Sequence, residues 1–422
     1  MARIVFATMG SWGDLFPAIG LAAAARARGH DVVIAATESY RPLIEAEGVT
    51  AVATGPRFGP AEFAADPAIL DGRQGGFAGF LHLFQTQVFP NLDTWVGELR
   101  QALAGADLLV THPTLLPAPI AAEASGVPWA AFSVFPGLIP SRHVWPMPTR
   151  LAPPGGRVTQ AACQMVWTAT RLNIRRHFDP PVNAARATVG LPAVRDSLFL
   201  PVRSAERYLL LADPAVISRA PDWPASIRMT GPVDWDQPTA TPTPPEVAQF
   251  LDAGQPPVLV TLGASSSVDP QGFYPAAVAA VRGLGHRVLV LTGPTPEPVD
   301  LPPDPEVCCV PFAPLAEIAH RCTAGIHHGG VGTTSLLLAA GVPQLIVPRG
   351  FDQPQTARRM ERLGVARSLP WRHAGTLRIR TSLEELLADE RLRKHAEHVA
   401  DRLREAGGAN RAVDELDALL GD

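Results

Sequence analysis

The sequence predicts an α/β protein of two doubly wound domains, each a parallel sheet covered by helices. Three observations carry that prediction. Short unbroken apolar runs alternate with helix-length stretches; the alternation stops at a proline-dense segment and then restarts; and each half holds a glycine-bearing loop between an apolar run and a helical stretch. Strands of a parallel sheet are buried on both faces, so they read as continuous apolar runs rather than alternating ones.

In the first half, Arg3 to Thr8 is such a run. Asp14 to Arg28 reads as a helix that Gly29 ends, and Asp31 to Ala36 is a second strand. Strand, helix and strand at this spacing make a βαβ unit, whose crossover demands parallel pairing. Further strands are expected at Asp107 to Val110, Trp129 to Phe132, Tyr208 to Leu211 and Ile227 to Thr230, with a helix over Ile120 to Ala124. Residues 234–245 then carry more prolines than a helix or central strand tolerates, and read as a linker. The second half restarts at Pro257 to Leu262, followed by the small-residue loop Gly263 to Ser267 and a helix over Pro275 to Arg282. Strands follow at Arg287 to Leu291, Val307 to Val310, Ala324 to His327 and Gln344 to Val347, and Leu383 to Leu420 is helical by periodicity. The expected organisation is a first domain over 1–233, a linker over 234–256, a second domain over 257–404, and a final helical segment, 405–422, packing back on the first domain.

Composition narrows the function. The 422 residues exceed one ordinary core, and the 46% hydrophobic and 18% charged fractions suit large buried sheets. A net charge of −4 without a basic stripe argues against a nucleic-acid partner. Cys163, Cys308, Cys309 and Cys322 form no Cys-x-x-Cys pair, so a reduced cytoplasmic protein is expected. The first residues run directly into a strand, and no apolar run approaches the roughly 20 residues of a membrane span.

The strongest local signal is His327-His-Gly-Gly-Val-Gly-Thr-Thr334, after a strand and before a helix. Glycines let a ligand approach the main chain. A helix N-terminus adds unsatisfied N–H donors and a positive dipole end, and His328 and Thr333 add side-chain donors. The segment is an anion cradle suited to a diphosphate. One strand later comes Arg349-Gly-Phe-Asp-Gln353, where a carboxylate beside an amide can hydrogen-bond a polyhydroxylated sugar or cap the next helix. In the first half, Met9-Gly-Ser-Trp-Gly-Asp14 places a carboxylate on a strand-end loop, where Asp14 can serve as a general base or cap the helix beginning there.

The run from His327 to Gln353 closely resembles the donor signature of the UDP-glycosyltransferase superfamily with the GT-B fold, in its bacterial antibiotic and sterol branch. The Gly10 to Asp14 loop, Gly29 to Val32 and Thr230 to Pro232 are similar to the same family. The resemblance implies two Rossmann-like domains facing across a cleft. It implies that His328, Gly330, Gly332 and Thr333 contact the diphosphate and that Asp352 and Gln353 contact sugar hydroxyls. Val310 to Ala313, with Pro311 and Phe312, holds the base, while Gly13 and Ser265 also lie on the donor side. Asp14 is then the proposed base; other branches carry a histidine there, oriented by a separate aspartate, and His112 follows the strand where that aspartate sits.

The apolar residues Phe77, Phe80, Leu81, Phe84, Val88, Phe89 and Trp95 recur near helical spacing, as a core stripe or as an acceptor wall. Trp12, Phe77, Phe80, Phe84, His112, Phe135 and Trp145 are taken as acceptor-side candidates, with Met147 near the same mouth. Asp234-Trp-Asp236 imitates a metal-binding carboxylate pair but lies in the linker, so no metal and no cofactor beyond the nucleotide sugar is expected. The expected activity is inverting, metal-independent transfer of a sugar from a UDP- or dTDP-sugar to a hydroxyl of an apolar small molecule, by a monomer or homodimer. The rivals are a non-catalytic relative that binds a partner or a nucleotide sugar, and a lipid-linked sugar transferase.

Overall fold

The computed structural model describes residues 1–9, 12–57, 59, 77–146, 151–214, 216–233, 235, 242–263, 272–293, 299–404 and 407–421. They divide into two compact units. The first holds the described residues of 1–59, 77–233 and 407–422; the second holds those from 235 to 404.

The first unit is built on seven parallel strands: β1 (Arg3–Ala7), β2 (Asp31–Ala36), β3 (Thr50–Ala53), β4 (Leu108–Thr111), β5 (Trp129–Ser133), β6 (Arg207–Leu210) and β7 (Ile227–Met229), in spatial order β3-β2-β1-β4-β5-β6-β7. Ile4 to Ala7 are completely buried, as expected for a strand covered on both faces. Helix α1 (Trp12–Ala27) starts two residues before Asp14. Asp14 therefore lies inside the first turn, and the capping position is not its own.

The second unit repeats the grammar with β8 (Val258–Thr261), β9 (Val288–Leu291), β10 (Val307–Val310), β11 (Ala324–His327), β12 (Gln344–Ile346) and β13 (Ala366–Ser368), all parallel, in order β10-β9-β8-β11-β12-β13. Its core has two layers set by the two-residue period of the strands. Val258, Val260 and Leu262 face the helices Phe273–Arg282 and Thr376–Ala388. Leu259, Leu289 and Leu291 face the other side. The doubly wound expectation thus holds for both halves.

Four features depart from the sequence reading. Edge strands β3 and β13 were not expected. Residues 157–188 form one long helix, α2 (Arg157–Thr188), where the sequence pattern indicates no element. The segment 234–256 is not linker throughout: Pro245–Asp252 is a helix, opened by proline in its first turn, that buries Val247 and Leu251 in the second unit's core. The helical tail is three helices, Thr376–Ala388, Glu390–Arg404 and the last, here α5 (Gly408–Gly421). The last of these packs on α1 within the first unit. The remaining helices that bear on the site are α3 (Val331–Ala339) and α4 (Gln353–Leu363). Among the described residues, no helix is long and apolar enough to cross a membrane.

Candidate active site

Both sheets reverse their strand order at one place, and doubly wound sheets bind ligands beyond the carboxyl ends of the strands at such a switch. In the first unit the switch lies between β1 and β4; in the second it lies between β8 and β11. Asp14 and His112 follow the two strands at the first switch, and His328 and the loop bearing Asp352 and Gln353 follow a strand at the second switch and the strand beside it.

In the second unit, Thr261 of β8 pairs with His327 of β11, so the residues just beyond them meet. His328 is 5% exposed. A Cβ on Gly330 would lie 2.4 Å from its Nε2, and one on Gly263 would lie 2.6 Å from its Cε1. The imidazole fills the space that two glycines leave. Burial, then the neighbouring His327 and Arg349, push its pKa down to about 3, so it is neutral at physiological pH. Its Nδ1 is buried without a hydrogen-bond partner.

The preceding residue, His327, is wholly buried and structural. The Gly329 N–H donates to its Nδ1 at 3.1 Å, which places the ring proton on Nε2, 2.9 Å from Gln344 Oε1. Gln344 Nε2 donates to the Thr334 carbonyl at 3.3 Å, and Thr334 Oγ1 donates to the Gly330 carbonyl at 2.8 Å. This chain fixes the glycine loop from beneath. Burial takes the His327 pKa down to about 4. Gly330 caps α3 and has no side chain of its own to occupy the N–H groups of the first turn, which carries Gly332 and Thr333.

On the loop after β12, Asp352 stands at the N-cap of α4 without a side-chain capping hydrogen bond. The Gln353 side-chain oxygen accepts the N–H of Arg349 at 2.8 Å and of Gly350 at 3.1 Å, which fixes its side chain to the loop. Phe351, just before Asp352, has φ of 52°, a left-handed conformation costly for a non-glycine residue. Arg349 was not singled out from the sequence. It is buried, with its guanidinium carbon 4.4 Å from the centroid of the Trp371 ring, and its charge acts on His328. Only the strand-end position could have signalled it. Pro311 and Phe312 follow β10, and the Pro311 carbonyl accepts the Gly293 N–H at 2.9 Å. Ser265 lies outside the described residues.

In the first unit, Ala7 of β1 pairs with Thr111 of β4. His112, one of the acceptor-side candidates, lies beside Asp14 and is buried. It is 3% exposed, and its Nε2 lies 3.3 Å from Asp14 Oδ1. The other acceptor-side candidates divide. Phe84 is fully buried in a cluster with Phe80, Phe89 and Phe178 of α2, so it is a core residue with no surface for a ligand. Phe80 is at the half-buried rim of that cluster. Trp12, stacked on Phe16 at 5.6 Å, Phe135 and Trp145 are half-buried; the Trp145 indole N–H donates to the Ala152 carbonyl at 2.7 Å. Phe77 opens a helix, its side chain outside the described residues, as is Met147. Gly13 is exposed on the first turn of α1.

Residues 280–418 match the model of the erythromycin biosynthesis protein CIII-like C-terminal domain. The O-mycaminosyltylonolide 6-deoxyallosyltransferase of Streptomyces fradiae is 33% identical, with 99% of this chain and 96% of the relative covered. The vancomycin aglycone glucosyltransferase of Amycolatopsis orientalis is 31% identical over 99% of this chain and 98% of its own. Among solved structures, the glycosyltransferase VinC in complex with dTDP superposes with a TM-score of 0.70 at 22% identity, covering 99% of each chain. Spinosyn forosaminyltransferase SpnP does so with a TM-score of 0.70 at 18% identity over both full lengths. A match above 30% identity along nearly all of both chains, on this fold, establishes that the chain belongs to the GT-B glycosyltransferases of antibiotic and natural-product biosynthesis.

Proposed function

We propose that this glycosyltransferase moves a sugar from a dTDP- or UDP-sugar to a hydroxyl of an apolar natural-product aglycone, with inversion and without a metal ion. One observation carries the donor half: a neutral, buried His328, seated between glycines at the switch point, beside a helix N-terminus that no side chain caps. A diphosphate leaving group gains stabilisation of its negative charge from aligned N–H donors in a site of low polarity, the role a divalent ion fills elsewhere. Asp352 and the Gln353 amide bond sugar hydroxyls in this reading. Asp14 takes the proton of the acceptor hydroxyl. The acceptor oxygen forms its bond to the anomeric carbon from the face opposite the nucleotide, and the bond to the diphosphate breaks with its electron pair leaving on phosphate oxygen. A single displacement inverts the centre.

The dTDP bound in the VinC complex and the acceptors in the relatives' names favour dTDP-sugars, with O-mycaminosyltylonolide and the vancomycin aglycone, as first trials. The direct test is calorimetric titration of dTDP and UDP, with EDTA present, into the wild type and His328→Ala. Binding that survives EDTA and weakens at least tenfold in the variant, a loss of about 1.4 kcal/mol, supports the donor site. No binding of either nucleotide overturns it.

A further inference from the structure

The contact between His112 and Asp14 joins two residues whose roles differ from those the family resemblance attaches to such a pair. His112 is the first residue beyond β4, and its N–H donates to the Ala7 carbonyl of β1 at 3.1 Å, so its main chain is pinned across the switch point. The ring meets Phe132 of β5 edge-on at 5.7 Å. Its Nδ1 lies 2.7 Å from Thr114 Oγ1 and 3.5 Å from the Thr114 main-chain nitrogen. A main-chain N–H can only donate, so Nδ1 is the acceptor on that side, and the hydroxyl can turn to donate to it as well. The single proton of the neutral ring is then on Nε2, the atom 3.3 Å from Asp14 Oδ1. That Nε2 is fully buried, and its contact with the carboxylate is short but off the line of a hydrogen bond. Contacts of this kind align when substrate closes the site.

We propose that His112 is a positioning residue: a fixed, neutral Nε2–H donor that holds one oxygen of Asp14 so that the other faces the acceptor hydroxyl. The proton balance follows. Nε2 already carries its hydrogen, so the acceptor proton goes to the outward oxygen of Asp14 and stays there until product leaves. The histidine orients and the aspartate is the base, the reverse of a histidine base oriented by an aspartate. Burial supports the neutral state by pushing the His112 pKa down, against the opposing pull of Asp14; among the described residues, the groups that face the ring from its neighbouring elements are Asp14, Thr114 and Phe132.

This inference rests on the reading of Asp14 as the base, and the test separates the two. In the full chain with ¹⁵N-labelled histidine, long-range nitrogen–proton spectra should show one ring with hydrogen on Nε2 alone, unchanged from pH 8 to pH 6 and shifted by Asp14→Asn. If the ring that Asp14→Asn shifts is protonated on Nδ1, or is an imidazolium in that range, the proposal is overturned. In turnover assays with the aglycone that screening yields, His112→Ala should lower kcat by about 10²-fold, the scale of a misplaced reacting group. The KM for nucleotide sugar should stay within about twofold, since the cradle is untouched. His112→Gln, which restores an N–H near the position of Nε2, should recover at least tenfold. Equal activity of His112→Ala and wild type overturns the positioning role while an inactive Asp14→Asn keeps the base assignment. An active Asp14→Asn overturns the base assignment itself.

Discussion

Three buried histidines, His112, His327 and His328, share one state and serve different ends. For the two in the second unit the linkage to stability has a definite sign. Their folded pKa values, about 4 and about 3, lie below the unfolded value near 6.5. The folded form therefore refuses protons that the unfolded chain accepts. Their contribution is complete above pH 6.5 and is lost as pH falls toward 4, at up to about 1.4 kcal/mol per pH unit for each ring. Urea unfolding of the second unit, followed at pH 7.5, 6 and 5, should show a falling midpoint, and His328→Phe should flatten the slope. A midpoint level over this range would mean that the rings titrate alike folded and unfolded. Space is the other constraint on His328. Gly330→Ala puts a methyl group where Nε2 sits, and the ring cannot retreat toward Gly263, whose backbone closes that side. Nucleotide affinity should fall at least tenfold in calorimetry, and stability should fall by about 1–3 kcal/mol through overpacking, read as a lower melting temperature.

At the scale of elements, α5 is fastened to the first unit by apolar packing and by charge. Ala412, Val413 and Leu416 are fully buried. Arg28 bonds Asp414 at 2.5 Å and Asp417 at 3.0 Å, His30 reaches Asp417 at 2.8 Å, and Arg207 and Arg228 both meet Glu415. The pairs are partly exposed, so each adds about 1 kcal/mol at most. The packing is the stronger tie, and Gly408 is its tightest point, where a Cβ would lie 1.9 Å from the Pro232 carbonyl oxygen. Since that obstacle is backbone, Gly408→Ala should cost about 1–3 kcal/mol by overpacking, seen as a lower melting temperature with nucleotide affinity unchanged. How far elements were legible in sequence follows from burial. Central strands such as β1, β2, β8 and β11 were found nearly to the residue, because two covered faces leave an unbroken apolar run. Of the edge strands, β7 and β10 were found and β3 and β13 were missed; Thr50-Ala-Val-Ala53 and Ala366-Arg-Ser368 are short, and exposed Thr50 and Ala53 and the polar, half-buried Arg367 and Ser368 leave no apolar run to read. The long helix α2 was missed for a different reason. Its inward stripe of Cys163, Trp167, Ile174 and Phe178 is blurred by exposed Val158, Met165 and Leu172 on the other face, and Pro180-Pro181 reads as a break. Without α2, the Phe178 that buries Phe84 was invisible, and Phe84 passed for a ligand wall.

For the molecule as a whole, the chain path makes the second unit an insertion: it begins after the first unit's last strand and returns to that unit as α5. Each unit has its own sheet and its own switch point. The motif residues were readable because each lies on the loop or first helical turn that follows a buried run; their pairing was not, because β1 meets β4 and β8 meets β11 across many intervening residues, and only the folded order brings Asp14 to His112 and Gly263 to His328. The same separation of sheets predicts where ligand free energy appears. A nucleotide that binds only the folded second unit stabilises it by about 2.7 kcal/mol at a hundredfold excess over Kd. Hydrogen exchange read by mass spectrometry, with and without dTDP, should therefore show slower exchange in peptides spanning His327 to Gly341 and Gln344 to Gln353. The amides of α5, which share the first unit's core, should exchange at their free rate. Protection of α5 by nucleotide would show that the two units open together and that donor binding is coupled to the Asp14 side of the reaction; protection confined to the glycine loop and the strand beside it would place the whole of the nucleotide's grip on the second unit.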